Sequence, residues 1–496
     1  MIQLINILKK RLPLLISLGY VLFLVYMMTQ NKFSYAAVIP GGILILYWSF
    51  FRINSLLLFV AFFTPLSTSL EELGIYNPLG VEMALPTEPI LFGLMMIAIY
   101  KSFFHADRFK PMMTHGITKA ILFYLAWMLF TVFWSSMPMV SAKFFISKLW
   151  FIFSFFVLGH IFFKDIKNYQ RFIYLFTLSM VLVVIVTIIR HGFRGFDKFS
   201  AHFIMSPFFK DHTVYGAILA FLLPITLGAM WNKAWSNRNR IFFIISNMIL
   251  IAGIILSYTR AAWLSLVLAL GVYVVIKMKI SFRFLATTLV ILGTMFFSFQ
   301  TEIFFMLTKN TQDSSGNFSE HIQSMSNIST DASNLERLNR WNSAITLWEE
   351  EPLFGWGPGT YQFQYAPKQM SYDKTIISTM EGDMGNSHSE YLGPLAETGV
   401  PGLISVLILI IVFFTKSIRL YSALDDPRLK NFVLGIILAN VTYFSHGILN
   451  NYLDVDKASV PVWASFAFIV TLDLFYRGKG ADNLSLDERS EERIPS

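Results

Sequence analysis

The sequence predicts an all-α polytopic membrane protein of 12–14 transmembrane helices, with one large outer loop that itself contains helices. Three observations predict it. The 496 residues are 55% hydrophobic and only 14% charged, where a soluble chain would carry roughly a quarter charged residues. Uncharged apolar runs recur, as at Phe172 to Ile189, Ile241 to Thr259 and Phe284 to Gln300. Each is close to the ~20 residues a helix needs to cross a bilayer core. The Lys and Arg residues fall mainly in the connections between such runs, which is the pattern of membrane topology.

Fourteen apolar segments follow in order: 12–29, 35–51, 53–67, 88–104, 118–134, 143–163, 172–190, 213–231, 241–259, 261–276, 284–300, 401–415, 432–449 and 459–475. The first follows Lys9, Lys10 and Arg11. It is long for a signal-peptide core and no small-x-small cleavage site follows it, so it reads as a retained helix. The third is short for a crossing and is compatible with a re-entrant segment. Lys143 and Lys148 fall inside the sixth, either snorkelling to the interface or lining a polar cavity. With the N-terminus inside, the inner loops and tails collect 25 Lys and Arg against 7 in the short outer loops, which predicts both termini in the cytoplasm. On this count 1–300 is a membrane bundle of eleven segments, 301–400 a large outer loop, 401–476 the last three segments, and 477–496 a disordered cytoplasmic tail.

The large loop carries 13 acidic and 5 basic residues. Its first third, "TQDSSGNFSEHIQSMSNISTDASN", is polar and reads as mobile. In "LERLNRWNSAITLWEE", Leu338, Trp341, Ala344, Ile345 and Trp348 recur at helical spacing and predict an amphipathic helix with one apolar face. Arg337 and Arg340 lie three apart on it and share a face. "EPLFGWGPGTY" ends it with Pro and Gly. In "NSHSEYLGPLAETGVPGLI", Ser387 and Glu390 have capping-box spacing, which predicts a short helix starting near His388 and ending at "ETGVPG". A histidine in a helix's first turn is held neutral, as a general base must be; the alternative is a loop-capping residue.

Other constellations gather on the outer side. Arg260, in "SYTRAAWLSL", lies between two apolar segments, either snorkelling to headgroups or offering its planar fork to a phosphate or diphosphate. The loop "RHGFRGFDKFSAHFIMSPFFKDH" is the one basic short outer loop, with Arg194, Lys198 and Lys210 ahead of Asp211, and it suggests an anionic ligand. The chain has no cysteine, which excludes disulfides and thiolate chemistry. The net charge of +8 is spread over loops and does not form a nucleic-acid face. No phosphate-binding loop, dinucleotide fingerprint, HExxH or metal-ligand cluster occurs, and no metal or cofactor is expected. A donor activated as a membrane-borne diphosphate fits a chain with no nucleotide-binding domain.

These residues resemble a known family. "RLNRWNSAITLWEEEPLFGWGPGTY" looks like the Arg-x-x-x-Trp…Pro-Leu-x-Gly-x-Gly segment of the O-antigen ligase superfamily. "SHSEYLGPLAETGVPGL" is similar to its His-…-Leu-x-x-x-Gly-x-x-Gly segment, "SYTRAAWL" to its Ser-x-(Thr/Ser)-Arg motif, and "FKDHTVYGAILAFLLP" to its first-loop motif, usually Asp-x-Asn, where His212 and Thr213 depart from it. The resemblance covers roughly 205–405. It implies a metal-independent, inverting glycosyltransferase of the bacterial inner membrane, moving a glycan from undecaprenyl diphosphate at the periplasmic face. The large loop would then be a periplasmic catalytic lid. The acceptor would be lipid A-core, or in the alternatives a growing polysaccharide or a protein. Arg260 and Arg337 would bind the diphosphate, and His388 would orient or deprotonate the acceptor. Arg340, Arg194, Lys198, Lys210, Asp211 and Glu397 would complete the substrate site. From another class, a lipid-linked oligosaccharide flippase remains open, although repeated halves and midplane binding residues are not visible.

Overall fold

The structure, a computed structural model, describes Gly19, Phe23 and residues 33–70, 72–73, 83–231, 236–280, 332–369 and 385–477. The eleventh segment, the polar first third of the loop, nearly all of the first segment and of the C-terminal tail lie outside these residues. Among the described residues, helices dominate, because a backbone in hydrocarbon must satisfy its own hydrogen bonds. Eight are long and apolar enough to cross a membrane.

The chain divides into two compact units, Met1–Phe59 and Val60–Ser496. The first holds α1 (Phe33–Phe51) and the start of α2 (Ile53–Phe63). At 11 residues, α2 falls short of the ~20 a crossing needs.

The second unit carries the rest. A two-residue antiparallel pair, Thr68 with Leu85 and Ser69 with Ala84, precedes α3 (Thr87–Phe104). Next come α4 (Gly116–Val132) and α5 (Pro138–Phe162), which widens into a π turn at Ile152–Val157. Then follow α6 (Ile166–Gly192), α7 (His212–Met230), α8 (Asn237–Leu256) and α9 (Arg260–Lys277). The loop supplies α10 (Ala332–Glu350) and a short α11 (Tyr361–Gln364). The last three are α12 (Leu392–Ala423), α13 (Pro427–His446) and α14 (Asp456–Phe475). Helix α14 is buried along nearly its whole length, and α7 packs extensively on α13. By contrast, α8 and α9 expose Ile245, Met248, Leu264, Val267 and Leu270, the apolar face a lipid-contacting helix presents.

Charge inside the bundle is paired, as its desolvation demands. Lys143 is exposed, but Lys148 is buried, donates to the Leu453 carbonyl at 3.0 Å and pairs with Asp454. Lys148 is therefore not snorkelling: it is a buried cation held by Asp454 and the Leu453 carbonyl. Asp456 accepts from Ser67 and Thr87, each at 2.6 Å, and Lys457 donates to Ser67 at 2.6 Å. The first network involves the connection between α13 and α14, the second the first turn of α14.

Candidate active site

Helix α10 forms over the span its spacing predicts, but it buries a different face. Glu336, Asn339, Arg340, Ser343, Ala344 and Leu347 are buried, at i, i+3, i+4, i+7, i+8 and i+11. Leu338, Trp341 and Trp348 are only half-buried and Ile345 is exposed. The expected apolar face is thus not the docking face. The reason is a polar anchor: Arg340 Nε donates to Glu336 at 2.6 Å, its guanidinium stacks 4.1 Å above the Tyr365 ring, and Tyr361 Oη donates to the Arg340 carbonyl at 2.7 Å. Ala344 and Leu347 close the packing against Tyr361, Tyr365 and Ala396. Arg340 is thereby a fastening of the loop.

The Gly-rich turn fixes that helix to the bundle. Gly355, Gly357 and Gly359 all have positive φ, where a side chain is strained. A Cβ at Gly357 would lie 2.0 Å from Ser135 Oγ. The turn also bonds to α12: Trp356 N donates to Ala396 O at 3.1 Å, Gly357 N to Glu397 O at 2.8 Å and Tyr361 N to Glu397 Oε1 at 3.1 Å. Glu397, expected in the substrate site, instead holds this turn. The predicted break at "ETGVPG" falls at Gly399, with φ 71° inside α12.

The capping box does not form. Helix α12 starts at Leu392, and His388 precedes it in a bend with φ 49°. Ser389 does the capping, its Oγ accepting from Tyr391 N at 3.2 Å and Leu392 N at 3.3 Å. Glu390 turns inward: its Oε1 accepts from Tyr443 Oη at 2.5 Å, Tyr452 N at 2.7 Å and Leu453 N at 2.9 Å. Those three donors, drawn from the long-range fold, outcompete one local amide, so the box fails despite its spacing. The His388 carbonyl accepts from Trp341 Nε1 at 3.3 Å, tying the segment to α10.

The first-loop motif lies at the start of α7. Asp211 is its N-cap, its Oδ1 accepting from Thr213 N at 2.7 Å and Val214 N at 3.1 Å. Thr259, one residue before Arg260, donates to the His212 carbonyl at 2.7 Å, which joins the two motifs directly. His212 lies within electrostatic reach of Asp211, Arg260 and Arg337. The histidine of the large loop shares Asp211 and Arg337 with it. Burial first, then Arg337 and Arg340, push His388 down to about 4, against the opposing pull of Asp211 and Glu336. The ring is therefore neutral at physiological pH, as expected, but through burial and two arginines, with no contribution from a helix end.

Arg337 and Asp211 thus bear on both His212 and His388, Arg260 bears on His212, and half-buried Arg337 is held by Nε donating to Leu449 O at 3.2 Å. Arg194, Lys198 and Lys210 are exposed and are not among the leading charges on His388; Arg194 sits 5.4 Å from the Phe203 ring centroid.

Sequence reasoning missed the connection after α13. Leu449 holds Arg337, Gly447 O accepts from Glu390 N at 2.8 Å, and Tyr452 Oη donates to Thr213 Oγ1 at 2.5 Å. This one connection touches the arginine helix, the His388 segment and the start of α7. Most of those bonds use backbone atoms, which leave no trace in residue types; the run Asn450, Asn451, Tyr452, Asp454 was the available signal.

No curated protein matches the chain. The family model described as O-Antigen ligase matches residues 245–407, a span that contains Arg260, Arg337, the Gly-rich turn and His388. That match, about a third of the chain and set in a multi-pass helical bundle, marks residues 245–407 as similar to the O-antigen ligase family and supports membership of that superfamily.

Proposed function

We propose that the chain transfers a glycan from undecaprenyl diphosphate to a hydroxyl acceptor at the periplasmic face, and that it ligates O-antigen to lipid A-core. The observation that supports this reading is a neutral His388 within electrostatic reach of Arg337 and Asp211, with Arg260 acting on His212, beside the Thr259 to His212 hydrogen bond. The acceptor oxygen forms its bond to the anomeric carbon as the bond to the diphosphate oxygen breaks. The electron pair leaves with the diphosphate, where guanidinium groups already in place stabilise the charge. The hydroxyl proton passes to His388. Asp211 offsets the imidazolium that results, since its charge favours the protonated ring.

The test is a reconstituted reaction with a lipid-linked glycan and lipid A-core, without nucleotide or metal. Release of undecaprenyl diphosphate with glycosylated core is expected, and chelators should leave it unchanged. Product carried on a second lipid-linked glycan would make the protein a polymerase. Glycan crossing the membrane with no diphosphate released would make it a flippase. Arg260→Lys and Arg337→Lys should each lose about 100-fold or more while inserting normally, because an ammonium cannot make the forked contact. Full activity in either variant would remove that arginine from the donor site.

A further inference from the structure

A second site lies at the other end of the arginine helix. Phe354 stacks on Trp134 with ring centroids 5.3 Å apart and on Trp127 at 6.1 Å. Trp134 remains 56% exposed. Beside these rings lies a groove of about 280 Å³ lined by Trp134, Ser136, Glu351, Phe354, Gly355 and Trp356. Its floor is rigid: Ser136 N and Oγ both donate to the Trp356 carbonyl, at 3.0 and 2.9 Å, and Trp356 Nε1 donates to Leu347 O at 2.9 Å.

We propose that this groove binds a pyranose ring of the glycan being transferred, several sugars away from the diphosphate. The inference rests on the transferase reading above and extends it to a substrate subsite. A pyranose has an apolar C–H face that covers an indole and a hydroxyl edge that donates to a carboxylate. The groove offers both, in Trp134 and the exposed Glu351. Phosphate-bearing groups are disfavoured, because Glu349, Glu350 and Glu351 run consecutively here, and Lys368 is already paired with Glu350. An acyl chain would gain nothing from the carboxylate. From Arg337 to Glu350 the helix runs 13 residues, so the groove lies roughly 20 Å from the arginines at 1.5 Å per residue. A glycan of several sugars spans that distance, whereas a single sugar does not.

The experiment uses full-length protein in nanodiscs, titrated by calorimetry with the host's own glycan, released from its carrier and size-fractionated. Wild type should bind the longer fractions, and Trp134→Ala should weaken that binding about tenfold, the size of a lost stacked-ring contact. Trp134→Phe, which keeps a ring face, should retain most of the affinity, and Glu351→Ala should lose about threefold, as for one exposed hydrogen bond. In the transfer reaction Trp134→Ala should raise KM with little effect on kcat, since the contact lies far from the breaking bond. Equal affinity of wild type, Trp134→Ala and Glu351→Ala, or no binding by wild type, would overturn the subsite and leave Trp134 a lipid-interface anchor. Binding that follows this pattern without any transfer would leave the subsite standing and sink the transferase reading alone.

Discussion

His388 carries the most readable titration in the site. Its ring is pushed down to about 4 by burial and by Arg337 and Arg340, so in the free enzyme the base is available at every pH above that value. The acid limb of kcat/KM should therefore fall near pH 4, well below the ordinary imidazole range of about 6.5. A bound diphosphate brings negative charge to Arg337 and cancels part of the field that depresses the ring, so the pKa rises in the complex. The acid limb of kcat, which reports that complex, should lie at higher pH than the limb of kcat/KM. His388→Gln keeps hydrogen bonding without a titratable proton, and its residual activity should show neither limb. Identical profiles in the two proteins would leave His388 only an orienting role. The sequence pointed to a neutral ring at this histidine. It misassigned the cause, because the local capping signal was visible while the burial and arginine field depend on the folded loop.

At the scale of elements, one carboxyl does much to pin the segment holding His388. Glu390 Oε1 accepts from Tyr443, Tyr452 and Leu453 and Glu390 N donates to Gly447 O, so this residue ties the 385–391 segment to α13 and to the connection after it. Burial raises the Glu390 carboxyl above its ordinary value, so in the folded protein it keeps its proton to higher pH than in the unfolded chain. A raised carboxyl contributes stability that is full below the unfolded pKa and declines as pH rises through the folded one. Glu390→Gln mimics the protonated form and keeps the acceptor, so it should melt near wild type and lose that decline. Glu390→Ala strands three buried donors at about 1–3 kcal/mol each and should lower the melting temperature and transfer activity together. Thermal unfolding across pH separates the two, and a Gln variant as unstable as Ala would show that the ionised carboxylate is required. Helix α10 shows the same limit of local reading. Its existence followed from spacing, but its buried face was decided by the Arg340–Glu336 pair and Tyr365, contacts that hydrophobic periodicity does not register.

For the molecule as a whole, what was legible was what the membrane dictates. Long apolar runs must become helices in hydrocarbon, and they do so at α3, α5 to α9, α12 and α14. The shortness of the third segment was also visible, but the paired state of Lys148 needed the fold, because the approach of Asp454 from more than 300 residues away is not written locally. Orientation is the global property on which the proposed chemistry depends. The large loop has 13 acidic against 5 basic residues, and the positive-inside rule predicts residues 301–400 outside and both termini inside. A lipid-linked donor presented at the periplasmic face can meet Arg260, Arg337 and His388 only in that orientation. The chain has no native cysteine, so Ser315→Cys and Ser485→Cys can be introduced singly without background. A membrane-impermeant maleimide applied to intact spheroplasts should label the first and spare the second until the membrane is permeabilised. Labelling of Ser485→Cys alone would invert the topology, and the arginines and histidine would then face the cytoplasm, where a periplasmic ligation reaction could not use them.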